Sequence, residues 1–305
     1  MLILDEAAVR KFLHMPALIP AMERALRALS AGEAVQPMRV VMPIAEHGGF
    51  LFSMPAYAGG QLGAKLVTFF PDNQGVATHH ALVLLFRPAT GEPLAVMDGR
   101  LITEMRTGAA SAAATRALAR PDASVLAILG SGVQARSHLE ALRLVRPFGE
   151  TRVWSPRNAG AFAERFGVRL ARSAEDAVRG ADVVVVATTS RTPVLAGEWL
   201  SPGAHINAVG APRPGWRELD DAVLRRSKLY VESREAASRE SGDVIAAGGI
   251  FAELGEVIGG AKPGRQSAEE ITLYKSVGVA VEDIASAELV YREAQAAGHP
   301  VVRPA

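Results

Sequence analysis

A glycine-rich segment carries the most specific chemical signal in the sequence. Gly130-Ser-Gly-Val-Gln-Ala135 directly follows an apolar run, Ser124 to Leu129, and opens a helical pattern, Val133 to Val145. Glycines at these positions permit a tight turn and let the backbone approach a pyrophosphate, which is then held by unpaired N–H groups at the helix start. The pattern predicts a dinucleotide site, and an empty structural turn is the alternative. The residues predicted to form the site are Gly130, Gly132, Val133, Gln134 and Ala135.

The end of the next strand-like run bears on the choice between NAD and NADP. In Thr151-Arg-Val-Trp-Ser-Pro-Arg-Asn158, no carboxylate is present to bind a ribose 2'-hydroxyl. An arginine in this place can bind a ribose 2'-phosphate instead. We therefore predict that Ser155, Arg157 and Asn158 contact the cofactor, that NADP(H) is preferred and that NAD(H) is possible. The alternative is that Arg157 is a solvated loop residue.

Polar residues and a glycine also follow two later strand-like runs. Thr188 and Thr189 come after the run that starts at Asp182, and Val209-Gly210 ends the run that starts at His205. Ligands of open α/β sheets bind along the carboxyl ends of the strands. We expect these four residues to contact the dinucleotide, although Ser and Thr also occur there as helix caps.

Two folding patterns divide the chain and position these residues. Before about residue 110, helical periodicity precedes several short strand-like runs, which predicts an α+β domain with a mixed or largely antiparallel sheet. From Arg106 onward, an Ala-rich helix to Ala119 is followed by alternating strands and helices, which predicts a doubly wound parallel sheet of the Rossmann type in an α/β fold. We expect residues 111–289 to form this domain. Residues 1–110 and a C-terminal helix at about 290–305 form the other one.

Composition excludes several kinds of chemistry. With no cysteine, the chain of 305 residues can use no disulfide, thiolate nucleophile or cysteine-ligated metal. Thirty-three basic against 32 acidic residues leave a net charge of +1, which argues against nucleic acid and a polybasic membrane anchor as partners. No run approaches the ~20 apolar residues of a membrane span, and we expect a cytoplasmic protein. His79 and His80 would point to opposite faces of a strand, so no metal site is predicted.

Six motifs along the chain resemble the ornithine cyclodeaminase/mu-crystallin family. They are Gly63-Ala-Lys65, Thr103-Glu-Met-Arg-Thr107, Gly130-Ser-Gly-Val-Gln-Ala135, Ala187-Thr-Thr-Ser190, Ile206-Asn-Ala-Val-Gly210 and Thr272-Leu-Tyr-Lys-Ser-Val-Gly278. The resemblance implies a homodimer in which the α+β domain supplies the substrate site and the dimer interface, beside a Rossmann domain for NAD(P). The substrate that it implies is a small amino or imino acid.

The resemblance also implies a substrate site. Arg39, Lys65 and Arg106 match basic residues that hold the substrate carboxylate, Lys65 is also placed to assist proton transfer, and Thr78 resembles a substrate-site threonine. Arginine can bind a carboxylate bidentately, although Arg39 and Lys65 taken singly are more often surface or ion-paired residues. Arg106 would begin a helix, where a cation is unfavourable unless an anion binds there. Two further cofactor contacts follow from the same resemblance: Thr107, at that helix start, and Ser276.

One loop departs from the cyclodeaminase pattern. The resemblance implies an Asp that receives the substrate amino group, and Pro212 occupies that part of Gly210-Ala-Pro-Arg-Pro-Gly-Trp-Arg-Glu-Leu219. The expected function is therefore NAD(P)H-dependent reduction of the C=N bond of a small cyclic imino acid, of the ketimine or Δ1-pyrroline-2-carboxylate reductase type. The alternatives are ornithine cyclodeamination and ligand binding without catalysis. For the proton donor, Lys65 or water is favoured over Glu218, which we expect only to cap a helix.

Overall fold

The computed structural model describes residues 1–301. Its strands, in chain order, are β1 (Leu2–Leu4), β2 (Ala34–Val35), β3 (Val40–Ile44), β4 (Gly49–Ala58), β5 (Gln61–Phe69), β6 (His79–Phe86), β7 (Pro93–Asp98), β8 (Val125–Leu129), β9 (Glu150–Trp154), β10 (Arg169–Leu170), β11 (Val183–Val186), β12 (His205–Ala208), β13 (Ser227–Val231), β14 (Ala252–Glu253) and β15 (Ile271–Lys275). Its α-helices are α1 (Glu6–Phe12), α2 (Met15–Ser30), α3 (Gly99–Leu118), α4 (Val133–Leu142), α5 (Ala159–Phe166), α6 (Ala174–Val178), α7 (Asp221–Arg226), α8 (Arg234–Glu240), α9 (Gly242–Ala247), α10 (Leu254–Ile258) and α11 (Ala280–Ala296).

The chain divides into two compact units. Among the described residues, the first unit comprises Met1–Arg106 and residues 279–301, and the second unit comprises Thr107–Gly278. The C-terminal helix predicted at about 290–305 extends past the described residues, because positions 302–305 lie outside them. Within residues 1–301, α11 ends at Ala296 and belongs to the first unit.

The first unit contains a mixed seven-stranded sheet. Its order is β1-β7-β6-β5-β4-β2, with β3 also paired to β4. Only β1 and β7 pair in parallel, and the other neighbours are antiparallel. Helix α11 packs on β4, β5 and β6. Gly63 makes the close approach possible, since a Cβ there would lie 2.6 Å from Ile284 Cδ1 of α11.

The second unit contains an eight-stranded parallel sheet of order β10-β9-β8-β11-β12-β15-β13-β14. Every residue of β11, β12 and β15 is buried, as expected for a parallel sheet covered on both faces. The predicted Rossmann sheet with an α+β unit is thus confirmed. Strand β15 was not predicted as a strand, yet it lies inside the sheet, between β12 and β13.

Helix α3 begins earlier than the sequence predicts. The Asp98 side chain accepts hydrogen bonds from the N–H groups of Arg100 at 3.1 Å and Leu101 at 3.2 Å, which caps the helix at its start. The helix therefore starts at Gly99, and Arg106 and Thr107 lie inside it. Our prediction that these two residues occupy a helix N-terminus is wrong.

The helices show no sign of a membrane span. Among residues 1–301, none combines the length and the apolar character that crossing a bilayer requires.

Candidate functional site

Four buried charged residues form what we call the first-unit charge cluster: Lys65, Arg106, Glu282 and Asp283. Lys65 Nζ lies 2.5 Å from Asp283 Oδ2. Arg106 donates from Nε to Asp283 Oδ1 and from Nη1 to Glu282 Oε2, both at 3.1 Å. All four residues are at most 5% exposed, so solvent screens these ion pairs very little.

Local structure explains how these side chains meet. Alternation along β5 places Lys65 on the same face as Gly63 and Val67, which is the buried face. Glu282 and Asp283 occupy the first turn of α11, where acidic residues are favoured by the helix dipole. Glu282 Oε2 also accepts a hydrogen bond from the Val279 N–H at 3.3 Å. The acidic residues therefore both start α11 and hold the two cations.

Burial changes the pKa values in this cluster. It lowers the pKa of Lys65 to about 8, although Asp283 opposes the shift. Burial alone would raise the pKa of Asp283, but Lys65 and Arg106 hold it below its usual range. Both groups are therefore charged at neutral pH, and Lys65 is close enough to titration to exchange a proton.

The sequence-predicted substrate residues are only partly brought together. Arg39 directly precedes β3, and its charge contributes to lowering the pKa of Lys65, so these two side chains are close, as Lys65 and Arg106 are. Thr78 is exposed just before β6, and its carbonyl accepts a hydrogen bond from the Phe70 N–H at 2.8 Å. The structure thus groups the three basic residues and leaves Thr78 at the strand end.

Sequence reasoning missed three residues here: Glu282, Asp283 and His79. His79 pairs with Phe69 while Lys65 pairs with Val83, which places His79 and Lys65 on one face of the sheet. Burial, together with the charges of Lys65 and Arg106, lowers the pKa of His79 to about 4. A neutral imidazole therefore borders the cluster. The alternation of side chains along β5 and β6, which puts His79 on the same face as Lys65, was the signal that could have identified His79.

The two adjacent histidines point to opposite faces of β6. His79 is partly buried and His80 is exposed. In the part of the chain that the structure describes, no three His, Asp or Glu side chains come together to hold a metal ion.

The glycine turn of the second unit fits an anion. Gly130 has φ +123°, and a Cβ there would lie 2.3 Å from the Ala187 carbonyl oxygen. Gly132 is the N-cap of α4, no side chain caps that helix, and a Cβ on Gly132 would meet nothing within 4 Å. Val133 is 53% exposed. The first N–H groups of a ten-residue helix therefore face open space, which suits a pyrophosphate.

Hydrogen bonds join the turn after β9 to the glycine turn at residues 130–132. Ser131 Oγ lies 2.8 Å from Ser155 Oγ and donates to the Arg157 carbonyl at 3.0 Å. Ser155 Oγ also donates to that carbonyl. Asn158, the N-cap of α5, has φ +62°. The exposed Arg157 side chain is thus carried on a hydrogen-bonded backbone next to the glycine turn.

The other predicted contacts follow β11, β12 and β15. Thr188 N–H and Oγ1 both donate to Glu218 Oε1, at 2.9 and 2.5 Å. Ser276 is buried and its N–H donates to the Ala208 carbonyl. Thr189 is exposed and Val209 is partly buried. We expected Glu218 to cap a helix, and this expectation is wrong. Asp220 caps α7, and the Glu218 side chain is fully buried beside Thr188.

The chain thus combines a parallel Rossmann sheet, which carries an open glycine turn, with a mixed-sheet unit that buries a cluster of paired charges. These features define a two-unit enzyme of the Rossmann class. Residues 1–298 match the ornithine cyclodeaminase/mu-crystallin family. The chain belongs to this family, as its motifs predicted.

Similar proteins support this assignment. Ketimine reductase mu-crystallin of Mus musculus is 52% identical over 286 residues, which cover 90% of this chain and 91% of the relative. The structure of Thermococcus litoralis Δ1-pyrroline-2-carboxylate reductase in complex with NADH and L-proline is 40% identical, with a TM-score of 0.94 and coverage of 99% of this chain and 100% of that one. An archaeal alanine dehydrogenase dimer with bound NAD is 38% identical, with a TM-score of 0.94 and 99% coverage of both chains.

Proposed function

We propose that this protein reduces the C=N bond of a small cyclic imino acid, such as Δ1-pyrroline-2-carboxylate, and prefers NADPH to NADH. The observation that carries the proposal is the buried first-unit charge cluster, which suits a substrate carboxylate. The relatives support it, since one is a ketimine reductase and another is a pyrroline-2-carboxylate reductase in complex with NADH and L-proline.

The grouping of cations around Lys65 favours an anionic ligand. The charges of Arg39 and Arg106 both act on Lys65, and Glu282 and Asp283 hold Lys65 and Arg106 in place. A substrate carboxylate is an anion that such a group of cations can bind. Glu282 and Asp283 keep the cations in place before substrate arrives, so little reorganisation is needed on binding.

The second unit offers residues for each part of a dinucleotide. The glycine turn, with Gly130, Gly132, Val133, Gln134 and Ala135, suits the pyrophosphate. Ser155, Arg157 and Asn158 suit the 2'-phosphate end, and the remaining contacts are assigned to Thr107, Thr188, Thr189, Val209, Gly210 and Ser276. A bound nicotinamide cofactor supplies the hydride for the imine carbon.

Lys65 is the proposed proton donor to the imine nitrogen, with water as the second candidate. Its ammonium group is charged at neutral pH, and a pKa of about 8 keeps proton release inexpensive near that pH. Arg39 and Arg106 then hold the carboxylate while Lys65 exchanges the proton. Pro212 has no carboxylate for the distal amine of ornithine, which disfavours cyclodeamination.

A substrate panel tests this function. Purified protein is mixed with cyclic imino acids, or with pyruvate plus ammonia, and absorbance at 340 nm is followed with NADPH and NADH. We expect oxidation of NADPH in proportion to the imino acid consumed, and none with Lys65→Met. Ornithine-dependent ammonia release without a net change at 340 nm would indicate a cyclodeaminase instead, and binding without turnover in every arm would overturn the proposal.

Arg157 tests the proposed cofactor preference. Arg157→Ala should lower the ratio of NADPH to NADH affinity by about tenfold or more, because it removes the cation for the 2'-phosphate. Arg225→Ala, which removes an exposed arginine elsewhere in the second unit, is the matched control and should leave the ratio unchanged. Tighter binding of NADH by the unsubstituted protein would refute the preference.

The open face of the first-unit sheet supports a homodimer. Val40, Leu66 and Leu82 are 64%, 38% and 49% exposed, and pairing through Ser53 places all three on the face opposite Lys65. Met42 and Tyr57 extend this apolar face. Contiguous apolar patches of this kind are typical of protein interfaces, and an archaeal relative is a dimer. We assign this face to a second copy of the chain.

A further inference from the structure

Glu218, Asp243 and Lys275 form a second buried charge cluster, which the proposed reaction does not use. We call it the second-unit charge cluster. Lys275 Nζ lies 3.1 Å from Asp243 Oδ2 and 4.0 Å from Glu218 Oε2, and it also donates to the Gly210 carbonyl. All three side chains are at most 1% exposed. Two carboxylates thus share one lysine in the protein interior.

Glu218 contacts the turns that follow two central strands. Its Oε1 accepts both hydrogen bonds from Thr188, after β11. Its Oε2 packs against Gly210, which follows β12: a Cβ on Gly210 would lie 2.3 Å from Glu218 Oε2. Asp243 Oδ1 in turn accepts hydrogen bonds from the N–H groups of Glu218 and Leu219, both at 3.2 Å. The Glu218 carboxylate is therefore held firmly at the carboxyl edge of the sheet.

The second-unit charge cluster carries an unbalanced negative charge when all its groups are ionised. Arg217 adds a cation only at the margin, with Nε 3.9 Å from Asp243 Oδ1, and it also pairs with Asp221. Within residues 1–301, Glu218 Oε2 has no hydrogen-bond partner. Burial raises the pKa of Glu218 to about 7, although Lys275 and the hydrogen bonds from Thr188 oppose the shift. Its charge is therefore present above pH 7 and lost below it.

The position of the Glu218 carboxylate at the carboxyl edge of the sheet relates this charge to the cofactor. Strand order reverses between β8 and β11, and dinucleotides lie across such a switch point with one half on each side. Arg157 follows β9 on one side, so the adenosine end belongs there. The nicotinamide end then falls on the side of β11 and β12, where Glu218 lies. Oxidised nicotinamide carries a positive charge, and reduced nicotinamide does not.

We propose that ionised Glu218 sets the redox preference of the dinucleotide site, by favouring the oxidised, cationic nicotinamide over the reduced one. This inference rests on the proposed function, because it needs a nicotinamide dinucleotide in the second unit. As a general estimate, two unit charges about 10 Å apart in a medium of effective dielectric constant about 20 change an affinity by on the order of tenfold. The affinity ratio between the two redox forms should shift by that amount when Glu218 gains or loses its charge.

The test measures binding and needs no turnover. Dissociation constants of NADP+ and NADPH are determined by titration calorimetry between pH 6 and pH 8.5. For the unsubstituted protein, we expect the affinity for NADP+ relative to NADPH to rise about tenfold through pH 7. The 2'-phosphate is present in both forms, so its own titration cancels in the ratio.

Two variants separate charge from structure. Glu218→Gln preserves the shape and the acceptor for Thr188, and should hold the ratio at its low-pH value throughout. Glu164→Gln, which removes an exposed carboxylate of the second unit, should retain the pH dependence. The unsubstituted protein alone keeps the proposal falsifiable if Glu218→Gln fails to fold.

The outcomes distinguish the two proposals. Binding of both redox forms with a ratio that does not change with pH, or an unchanged pH dependence in Glu218→Gln, would overturn the role of Glu218 alone. Failure to bind either form would overturn the dinucleotide site and, with it, this inference.

Discussion

Asp283→Asn perturbs the first-unit charge cluster at the residue that both cations share. Asp283 lies 2.5 Å from Lys65 Nζ and 3.1 Å from Arg106 Nε, and it is fully buried. Asparagine is nearly the same size, so the substitution removes the charge with little change in packing. It leaves Lys65 without its partner, while Arg106 keeps Glu282.

The expected magnitude follows from the geometry. Opposite unit charges about 4 Å apart attract by about 4 kcal/mol at an effective dielectric constant of about 20, which corresponds to about three pKa units. The pKa of Lys65 is already lowered to about 8, so loss of Asp283 should leave Lys65 neutral at pH 7. Breaking a buried ion pair costs about 3 to 5 kcal/mol. Because Arg106 retains a partner, we expect about 3 kcal/mol.

Urea denaturation at pH 7 measures this loss. A double-mutant cycle adds Lys65→Met, which removes the buried amine left without its partner by Asp283→Asn, and the double variant should lose at least about 1 kcal/mol less than the two single losses together. Asp122→Asn, at a 78% exposed side chain paired with Arg120, is the control and should change stability by less than about 0.5 kcal/mol. Additive losses, or a negligible effect of Asp283→Asn, would refute the reasoning.

Three further predictions concern other parts of the chain. Gly130→Ala should lower stability by about 2 kcal/mol or more and weaken dinucleotide binding, because its φ is +123° and its Cβ would lie 2.3 Å from a carbonyl oxygen; Gly160→Ala, in open space within α5, should be neutral or stabilising by calorimetry. Leu82→Asp should yield a monomer of 32.2 kDa in sedimentation, whereas Leu170→Asp, also exposed, should not. Lys65 has a folded pKa of about 8 against 10.5 unfolded, so the unfolded state binds more protons between these values and stability relative to Lys65→Met should rise by about 3 kcal/mol from pH 8 to pH 10.5.

Local patterns were sufficient to predict much of the fold. The apolar runs that form β8 and β11 lie between glycine, proline and helical segments. Because such strands alternate with helices along the chain, the pattern predicts a parallel sheet. The glycine turn could also be predicted from sequence, because the backbone at Gly130 tolerates no side chain and therefore requires glycine. These signals lie within a few residues of each other.

Other features depend on residues far apart in the chain. Arg106 forms an ion pair with Asp283, which lies 177 positions away in the sequence. Local periodicity of the sequence cannot predict such a pair. Strand β15 escaped prediction because Ile271–Lys275 ends in a lysine whose burial depends on Asp243 and Gly210. The early start of α3 depends on one capping side chain, Asp98, in a segment that also reads as a strand end.

The two buried charge clusters differ in composition, and this bears on the direction of the reaction. The first-unit charge cluster holds Lys65 and Arg106 close to Arg39, a grouping suited to a carboxylate, which the imino acid keeps when it is reduced. The second-unit charge cluster has an excess negative charge, and in the reductive direction the cofactor gains a positive one. Ionised Glu218 would thus retain the oxidised cofactor above pH 7. Below pH 7 Glu218 becomes neutral while Lys65 stays protonated, so acidification should favour release of the oxidised cofactor. Where that release limits turnover, reduction should be fastest on the acidic side of neutrality, and where hydride transfer limits turnover, it should be fastest above pH 7.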